Sequence, residues 1–378
     1  MKPLKLAYLT NNVPAYRSGF FRRLLSDERL DVTVFCHAEV HGDSVELIPE
    51  ELRGRLSYCR TLSVLDGKLL FELLPFWSIL TRYDVIVSDG NPRHAGFAVF
   101  STIAALLRRR VIIWSTLHSR RNRPWTQFAR LTWWRVFPEF LSYTEPDAAD
   151  LRAKFPGRMA RSANNGLDQQ AIDEAKKLYS TADLLAFKSS LGLEGKQIGL
   201  SIGRVLSGRF DLMAEVLKFV CKAKPDFHWM LLGGGDGMAS LKQELERHGV
   251  SDRVTLAGAI HEESELAKWF EIADVFVYTE AIGLSLYHAF GYGLPVVVHA
   301  DQQLHGPEMG AFQEGVTGLT FEPGNAQDMA EKILRLLNDE AFRNSMKIKT
   351  LSTVREQYNA DQMYLRFTRA LLEPSAQF

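Results

Sequence analysis

The chain has 378 residues, long for one hydrophobic core and suited to two domains. With 46% hydrophobic residues and a formal charge of zero, it reads as a globular protein and excludes disordered or collagen-like chains. The longest apolar run, Ala95 to Leu107, is too short to span a bilayer, and the start MKPLKLAYLT carries no apolar stretch of signal-peptide length.

A cytoplasmic protein is expected on these grounds. Cys36, Cys59 and Cys221 fit it as reduced thiols, in no metal-ligand spacing. Charge is unevenly spread. Up to Asp168 there are 24 Lys and Arg against 17 Asp and Glu; the remainder has 21 against 28. A basic first half suggests an anionic partner.

In chain order, residues 4–9 read as a buried strand. The turn-rich Thr10-Asn11-Asn12-Val13-Pro14-Ala15-Tyr16-Arg17-Ser18-Gly19 follows, then a helix from about Phe20 to Ser26 and a strand over 32–35. Gly19 at the helix entry would let a ligand approach the backbone. Arg17 is a candidate phosphate or acceptor contact, with a plain surface arginine as the alternative. Residues 38–66 show little periodicity beyond one strand near 56–60. A helix is expected over 69–81, a strand over 85–87, a helix over 93–108 and a strand over 111–114. The last delivers His118 to its C-terminal end, where ligands sit in open α/β sheets.

Arg120 to Phe137 packs three Trp, two Phe and five Arg into eighteen residues, and no acid occurs between Arg108 and Pro138. Arginines for lipid phosphates and tryptophans for the headgroup level suit an interfacial helix. The same composition suits a nucleic-acid patch. It also suits a core helix with solvated arginines, because Trp125, Phe128, Leu131 and Thr132 share a stripe. Membrane or lipid-acceptor contact through 108–137 is the reading favoured here, without nucleic acid.

Further elements are expected over 140–143, 146–155 and 158–163, ending in Asn164-Asn165-Gly166-Leu167-Asp168. A linker and an amphipathic helix occupy 169–190. The pattern then restarts with strand 197–202, the loop Gly203-Arg204-Val205-Leu206-Ser207-Gly208-Arg209-Phe210 and helix 211–223. Gly203 and Gly208 match P-loop glycines, but Arg209-Phe210 lacks that motif's Lys and Ser or Thr. Strand 227–232 ends in Gly233-Gly234-Gly235-Asp236-Gly237, whose glycine spacing is not a dinucleotide fingerprint. Helix 239–248, strand 254–256, the loop Gly258-Ala259-Ile260-His261 and helix 262–271 lead to a strand-loop-helix-strand unit at 274–298. There Glu280 precedes Gly283-Leu284-Ser285 at a helix start, where backbone N–H groups favour an anion. Helices over 325–338, 340–350 and 361–373 finish the chain.

Glu280-Ala281-Ile282-Gly283-Leu284, followed by Tyr287-His288-Ala289-Phe290-Gly291-Tyr292-Gly293-Leu294-Pro295-Val296, resembles the E-G-F-G-L…L-E-A-M-A-x-G-x-P-V signature of the retaining glycosyltransferases of family four. Gly203-Arg204-Val205 with Arg209 is similar to the family's G-R-L-x-x-x-K-G, and Asn165-Gly166-Leu167-Asp168 to the N-G-(V/I)-D that closes its first domain. The resemblance implies a GT-B fold: two Rossmann-like doubly wound α/β domains facing each other across a cleft. The first would be an acceptor-side domain of 1–168 plus the C-terminal helix of about 355–378, the second a donor domain of 169–354. It implies transfer of a sugar from a nucleotide-diphosphate sugar to a hydroxyl, with retention and without a metal or other cofactor. In such an enzyme Arg204 and Arg209 would hold the diphosphate, with Gly283, Leu284 and Ser285 supporting it. Glu280 would bind donor-sugar hydroxyls, and the loop at Ile260 would back the base. His118 would line the reacting face, and Gly19 and Arg17 would lie in the first loop, over donor phosphates or acceptor. A lipid-linked saccharide is the acceptor this implies, reached at the inner face of the cytoplasmic membrane. His288 departs from the family, which has there a second Glu that accepts from the ribose; a modified ribose contact is the expected role. A GT-B epimerase and a non-catalytic sugar-nucleotide binder are the alternatives.

Overall fold

The computed structural model describes residues 2–37, 52, 54–117, 124–208 and 210–373, the side chains of 124 and 125 excepted. It divides into two compact units. The first comprises residues 1–168 and 359–378, the second residues 169–358.

The first unit is built on an eight-stranded sheet of order β4-β3-β2-β1-β5-β6-β7-β8. Its strands are β1 (Leu4–Leu9), β2 (Leu30–His37), β3 (Leu56–Val64), β4 (Leu69–Leu73), β5 (Val85–Asp89), β6 (Arg110–Trp114), β7 (Glu139–Ser142) and β8 (Met159–Ser162). All neighbours are parallel except β3 and β4. The apolar runs explain this, because a parallel sheet covered on both faces needs hydrophobic residues at every position. Along β1, Leu6 and Tyr8 join one core and Ala7 and Leu9 the other.

The first of these cores is closed by helices α1 (Ser18–Ser26) and α14 (Ala360–Leu372), through Phe20, Phe21, Met363, Phe367 and Leu371. The chain's last helix thus completes the first unit's core. Asn359 caps it by accepting from Gln362 N at 2.9 Å, and Ala360 N donates to Leu167 O at 2.8 Å. At its far end Arg110 donates to the Leu371 and Ala370 carbonyls at 2.6 and 2.9 Å while Glu139 holds the same guanidinium. A cation there serves carbonyls left over at a helix C-terminus. The other face carries α2 (Phe76–Arg82), α3 (Ala95–Leu106), α4 (Pro124–Trp134) and α5 (Glu145–Lys154).

One element differs from the sequence expectation. Residues 69–81 are not one helix. Leu69–Leu73 pairs antiparallel with β3, and the helix begins only at Phe76. The cause is the turn: Leu65, Asp66 and Gly67 all have positive φ, at 54, 53 and 76°, the conformation that Asp-Gly supplies to tight hairpins.

The second unit has a parallel sheet of order β11-β10-β9-β12-β13-β14. The strands are β9 (Gln197–Ile202), β10 (Phe227–Leu232), β11 (Val254–Gly258), β12 (Val275–Val277), β13 (Val296–His299) and β14 (Gly318–Phe321). Helices α6 (Gln169–Lys176) and α7 (Thr181–Ser190) stand where one amphipathic helix was expected, separated by a Ser180–Asp183 capping box. Then come α8 (Leu212–Ala223), α9 (Met238–Arg247), α10 (Glu263–Glu271), α11 (Ser285–Gly291), α12 (Ala326–Asn338) and α13 (Glu340–Glu356). Among the described residues, no helix is long and apolar enough to cross a membrane.

Candidate functional site

Strand order reverses between β9 and β12 in the second unit. Loops that leave the C-terminal ends of two such strands diverge to opposite faces and open a crevice, the usual ligand position in doubly wound sheets. The loop after β9 carries Gly203 and Arg204, and the loop after β12 carries Glu280 and Gly283. The structure therefore brings these two motifs to the switch point. Arg204 and Glu280 are both exposed there.

The first loop is locked to its neighbour through backbone. Val205 N donates to Gly234 O at 3.0 Å, Gly237 N to Val205 O at 2.9 Å, and Gly233 N to Gly258 O at 2.7 Å. A Cβ at Gly233 would collide with Gly203 O, and one at Gly235 with Val205 O. The glycine cluster after β10 thus serves strand-end packing. Phe210, where the resembling family has Gly, is buried against the Tyr278 ring at 5.6 Å. Arg209 lies outside the described residues. Ile260 is half-buried in the loop that leaves β11.

The second loop is held from below. Ile282 N donates to His305 Nδ1 at 3.1 Å, which makes His305 Nε2 the donor toward His299 O at 2.8 Å. Gly306 N donates to Ile282 O at 2.7 Å. The buried Glu308 carboxylate comes beside Gly283, 3.7 Å from where a Cβ would stand. Leu284 and Ser285 are half-buried, and Ser285 opens a helix of seven residues.

His288 lies on α11 with its Nε2 3.1 Å from Glu263 Oε2, and Tyr292 OH donates to Glu263 Oε1 at 2.6 Å. Burial alone would push the Glu263 carboxyl up. The His288 and Tyr292 hydrogen bonds outweigh it and hold that carboxyl below its ordinary range. An ionised carboxylate only accepts, so His288 Nε2 carries the hydrogen and a neutral ring keeps Nδ1 as an acceptor. The sequence reading missed Glu263, because a carboxylate at a helix start is ordinary and its partner lies 25 residues away.

In the first unit, strand order reverses between β1 and β5. Arg17 stands there, in the short turn Ala15–Arg17 after β1. Gly19 has another explanation than an approaching ligand. The space over it is filled by Asp168, held by Arg22 at 3.6 Å and Arg23 at 3.4 Å. His118 lies outside the described residues.

On α4 the stripe is not the expected one. Phe128 is 72% exposed and Thr132 is exposed, whereas Arg130, Trp134 and Phe137 are buried. The larger aromatic residues win the core face, with Trp134 Nε1 donating to Gly90 O at 3.3 Å and Arg130 stacked 4.9 Å from the Trp134 ring. The Trp125 side chain is outside the described residues. On α3, Val99, Ile103 and Leu106 form an exposed apolar face. Val99 and Ile103 line, with Trp133, Arg93 and Lys68, a groove of about 960 Å³ between α3, α4 and the β3–β4 hairpin.

Two doubly wound units of this kind define the GT-B class of fold. Residues 185–352, within the second unit, match the family model "Glycosyl transferases group 1", which supports a group 1 glycosyltransferase. Among curated relatives, it is 24% identical over 200 residues to the N-acetyl-alpha-D-glucosaminyl L-malate synthase of Bacillus anthracis, which covers 52% of this chain and 50% of that protein. It is 22% identical over 236 residues to the alpha-D-kanosaminyltransferase of Streptomyces kanamyceticus, covering 61% and 59%. The chain thus spans about half the length of these curated relatives. Among solved structures, HepE of Anabaena in complex with UDP superposes with TM-score 0.74 at 16% identity, over 98% of this chain and 100% of that one. A glycosyltransferase of Rickettsia africae gives 0.75 at 13% identity, over 99% and 100%. At such identities these structures establish the fold alone.

Proposed function

We propose that the protein is a retaining, metal-independent glycosyltransferase that moves a sugar from a nucleotide-diphosphate sugar to a hydroxyl of a lipid-linked glycan acceptor in polysaccharide or glycoconjugate assembly. One observation carries the reading. The family match over 185–352 falls on the unit whose Arg204 and Glu280 loops leave neighbouring strands at the switch point. In this reading Arg204 and Arg209 neutralise the diphosphate, and catalysis is mainly positioning and charge stabilisation. Glu280 binds donor-sugar hydroxyls, while His288, oriented by Glu263, accepts from the ribose through Nδ1. The second unit is the donor domain, and the first is the acceptor domain.

The lipid-linked acceptor is supported by the apolar face of α3, exposed Phe128 and the acid-free stretch from Arg108 to Pro138. Apolar residues ringed by arginine suit the inner face of a cytoplasmic membrane. The test is thermal stabilisation of the full chain by UDP, GDP, ADP and their sugar conjugates, with the uridine series first because the Anabaena structure holds UDP. One nucleotide family is expected to raise Tm. No shift with any of them would overturn the donor site. Nucleotide release that needs no acceptor would favour an epimerase instead.

A further inference from the structure

We infer that the cavity over the switch point of the first unit is an acceptor-sugar subsite that selects an anionic group, a carboxylate or a phosphate, through Arg17. This rests on the glycosyl-transfer reading and adds the chemical class of the acceptor.

The cavity has a volume of about 180 Å³ and lies where the loops after β1 and β5 diverge, over the ends of β6 and β7. Drug-sized ligands need ~300–1,000 Å³, so this space suits one small group such as a single sugar with its substituent, and not a nucleotide. Arg17 reaches it through an aromatic cage. Its guanidinium carbon lies 4.8 Å from the Tyr143 ring centroid, 5.5 Å from that of Trp114 and 5.6 Å from that of Tyr16. Burial works against the charge, and the oxygens of Tyr143, Tyr16 and Tyr8 outweigh it, so the guanidinium stays charged. The guanidinium hydrogen-bonds Tyr143, yet among the described residues it makes no ion pair with a carboxylate, and its buried Nε has no hydrogen-bond partner. A charged, caged donor left short of an acceptor is costly unless something supplies one. The planar fork fits a carboxylate or a phosphate oxygen pair.

The remaining lining suits a sugar around that anion. Asn11 and Asn12 offer amides, and Trp114 offers an aromatic face. Asp89, at the end of β5, holds Asn91 N at 2.8 Å through Oδ1, and its carboxyl is pushed up by burial. It stands opposite Arg17 in charge without pairing to it, and so competes with the anion while accepting from sugar hydroxyls.

The experiment measures the Tm of the full chain with millimolar glucose, glucuronate and glucose 1-phosphate, for the wild type, Arg17→Gln and Asp89→Asn, and separately with the nucleotide series. Glucuronate or glucose 1-phosphate is expected to raise Tm and glucose not to; which of the two works tells carboxylate from phosphate. Arg17→Gln is expected to abolish the anion-dependent shift and to keep the nucleotide shift. Asp89→Asn is expected to tighten the anion several-fold. The inference is overturned by an equal shift with glucose, by no anion shift in the wild type, or by an anion shift that survives Arg17→Gln. Loss of the nucleotide shift in Arg17→Gln also overturns it, because Arg17 would then serve the donor. If Arg17→Gln does not fold, an Asp89→Asn variant that binds the anion no better overturns it. Failure of the nucleotide arm alone refutes the donor reading and leaves the anion arm readable.

Discussion

His288 Nε2 stands 3.1 Å from Glu263 Oε2, so a carboxylate sits one side chain away from the position where the resembling family has its own. The substitution on α11 therefore does not remove negative charge from this region; it moves it to the first turn of α10 and inserts an imidazole in front. His288→Ala is expected to raise the donor KM about tenfold, the equivalent of ~1.4 kcal/mol, with a smaller effect on kcat. Glu263→Gln is the sharper variant. Its amide presents either oxygen or nitrogen to Nε2, which releases the tautomer. A donor KM close to that of His288→Ala would confirm that Glu263 acts through His288. An unchanged KM would show that the pair is structural.

Glu280 should behave differently. It is exposed in the loop after β12. Glu280→Ala is expected to lower kcat by about 10²-fold while thermal stability stays unchanged, because lost transition-state hydrogen bonds of this kind cost on the order of 10²–10³. Steady-state kinetics with the donor identified by thermal shift decides it. A KM effect without a kcat effect would move Glu280 from the reacting sugar to ground-state binding.

The trio His37, Glu72 and His94 carries stability in the first unit. Glu72 is buried, its Oε1 3.0 Å from His37 Nε2 and 2.9 Å from His94 Nδ1, and its Oε2 accepts from Phe97 N at 3.2 Å. Burial pushes the carboxyl up, but the two histidines outweigh it and bring it to about 2. The sign follows from linkage. A carboxyl held lower in the folded than in the unfolded protein contributes stability above ~4.3, and that contribution is lost as pH falls toward 2. Glu72→Gln is expected to cost about 3 kcal/mol at neutral pH, and to flatten the fall in stability below pH 4.3. Urea titrations at several pH values measure both. A variant as stable as the wild type would show that the hairpin is held by apolar contacts alone. The same three ligand atoms could hold a metal ion, and zinc added to the wild type tests that directly.

Gly235 tests the backbone lock beneath Arg204. Gly235→Ala would drive a methyl into Val205 O, a backbone atom with no room to yield. The variant is expected to lose more than ~1 kcal/mol of stability. Its nucleotide-dependent Tm shift should fall with it. Loss of the shift at full stability would instead place Gly235 against the ligand itself.

Much of this architecture was legible in the chain. The alternation of buried apolar runs with turns gave both sheets, and the motifs at Gly203 and Glu280 fell on strands adjacent at a switch point. What was not legible depended on tertiary packing. The helix expected over 69–81 lost to a hairpin because Asp66-Gly67 fixes a turn whose partner strand lies in a stretch of weak periodicity. Phe210 read as a defect in a phosphate loop, and only the buried Tyr278 ring explains it. On α4, spacing alone could not choose between Phe128 and Trp134, because the choice depends on what lies beneath the helix. Glu263 is found only when α10 is laid beside α11.

Membrane contact separates the lipid-acceptor reading from transfer to a free sugar. Leu106 is 70% exposed on α3 and Phe128 72% exposed on α4, while Arg108 and Arg135 follow them in the acid-free stretch. Phe128→Ser with Leu106→Ser removes exposed apolar surface without touching either core, so folding should survive. In flotation with vesicles containing anionic lipid, the wild type is expected to float and the double variant to float several-fold less. Salt should weaken both, since each basic residue near the surface contributes ~1 kcal/mol. If the wild type ignores the vesicles at low salt, the apolar face of α3 has another partner and the acceptor need not be lipid-linked. If it floats and the double variant floats equally well, the arginines alone hold the surface, and the groove beside Val99 and Ile103 is left to the acceptor chain.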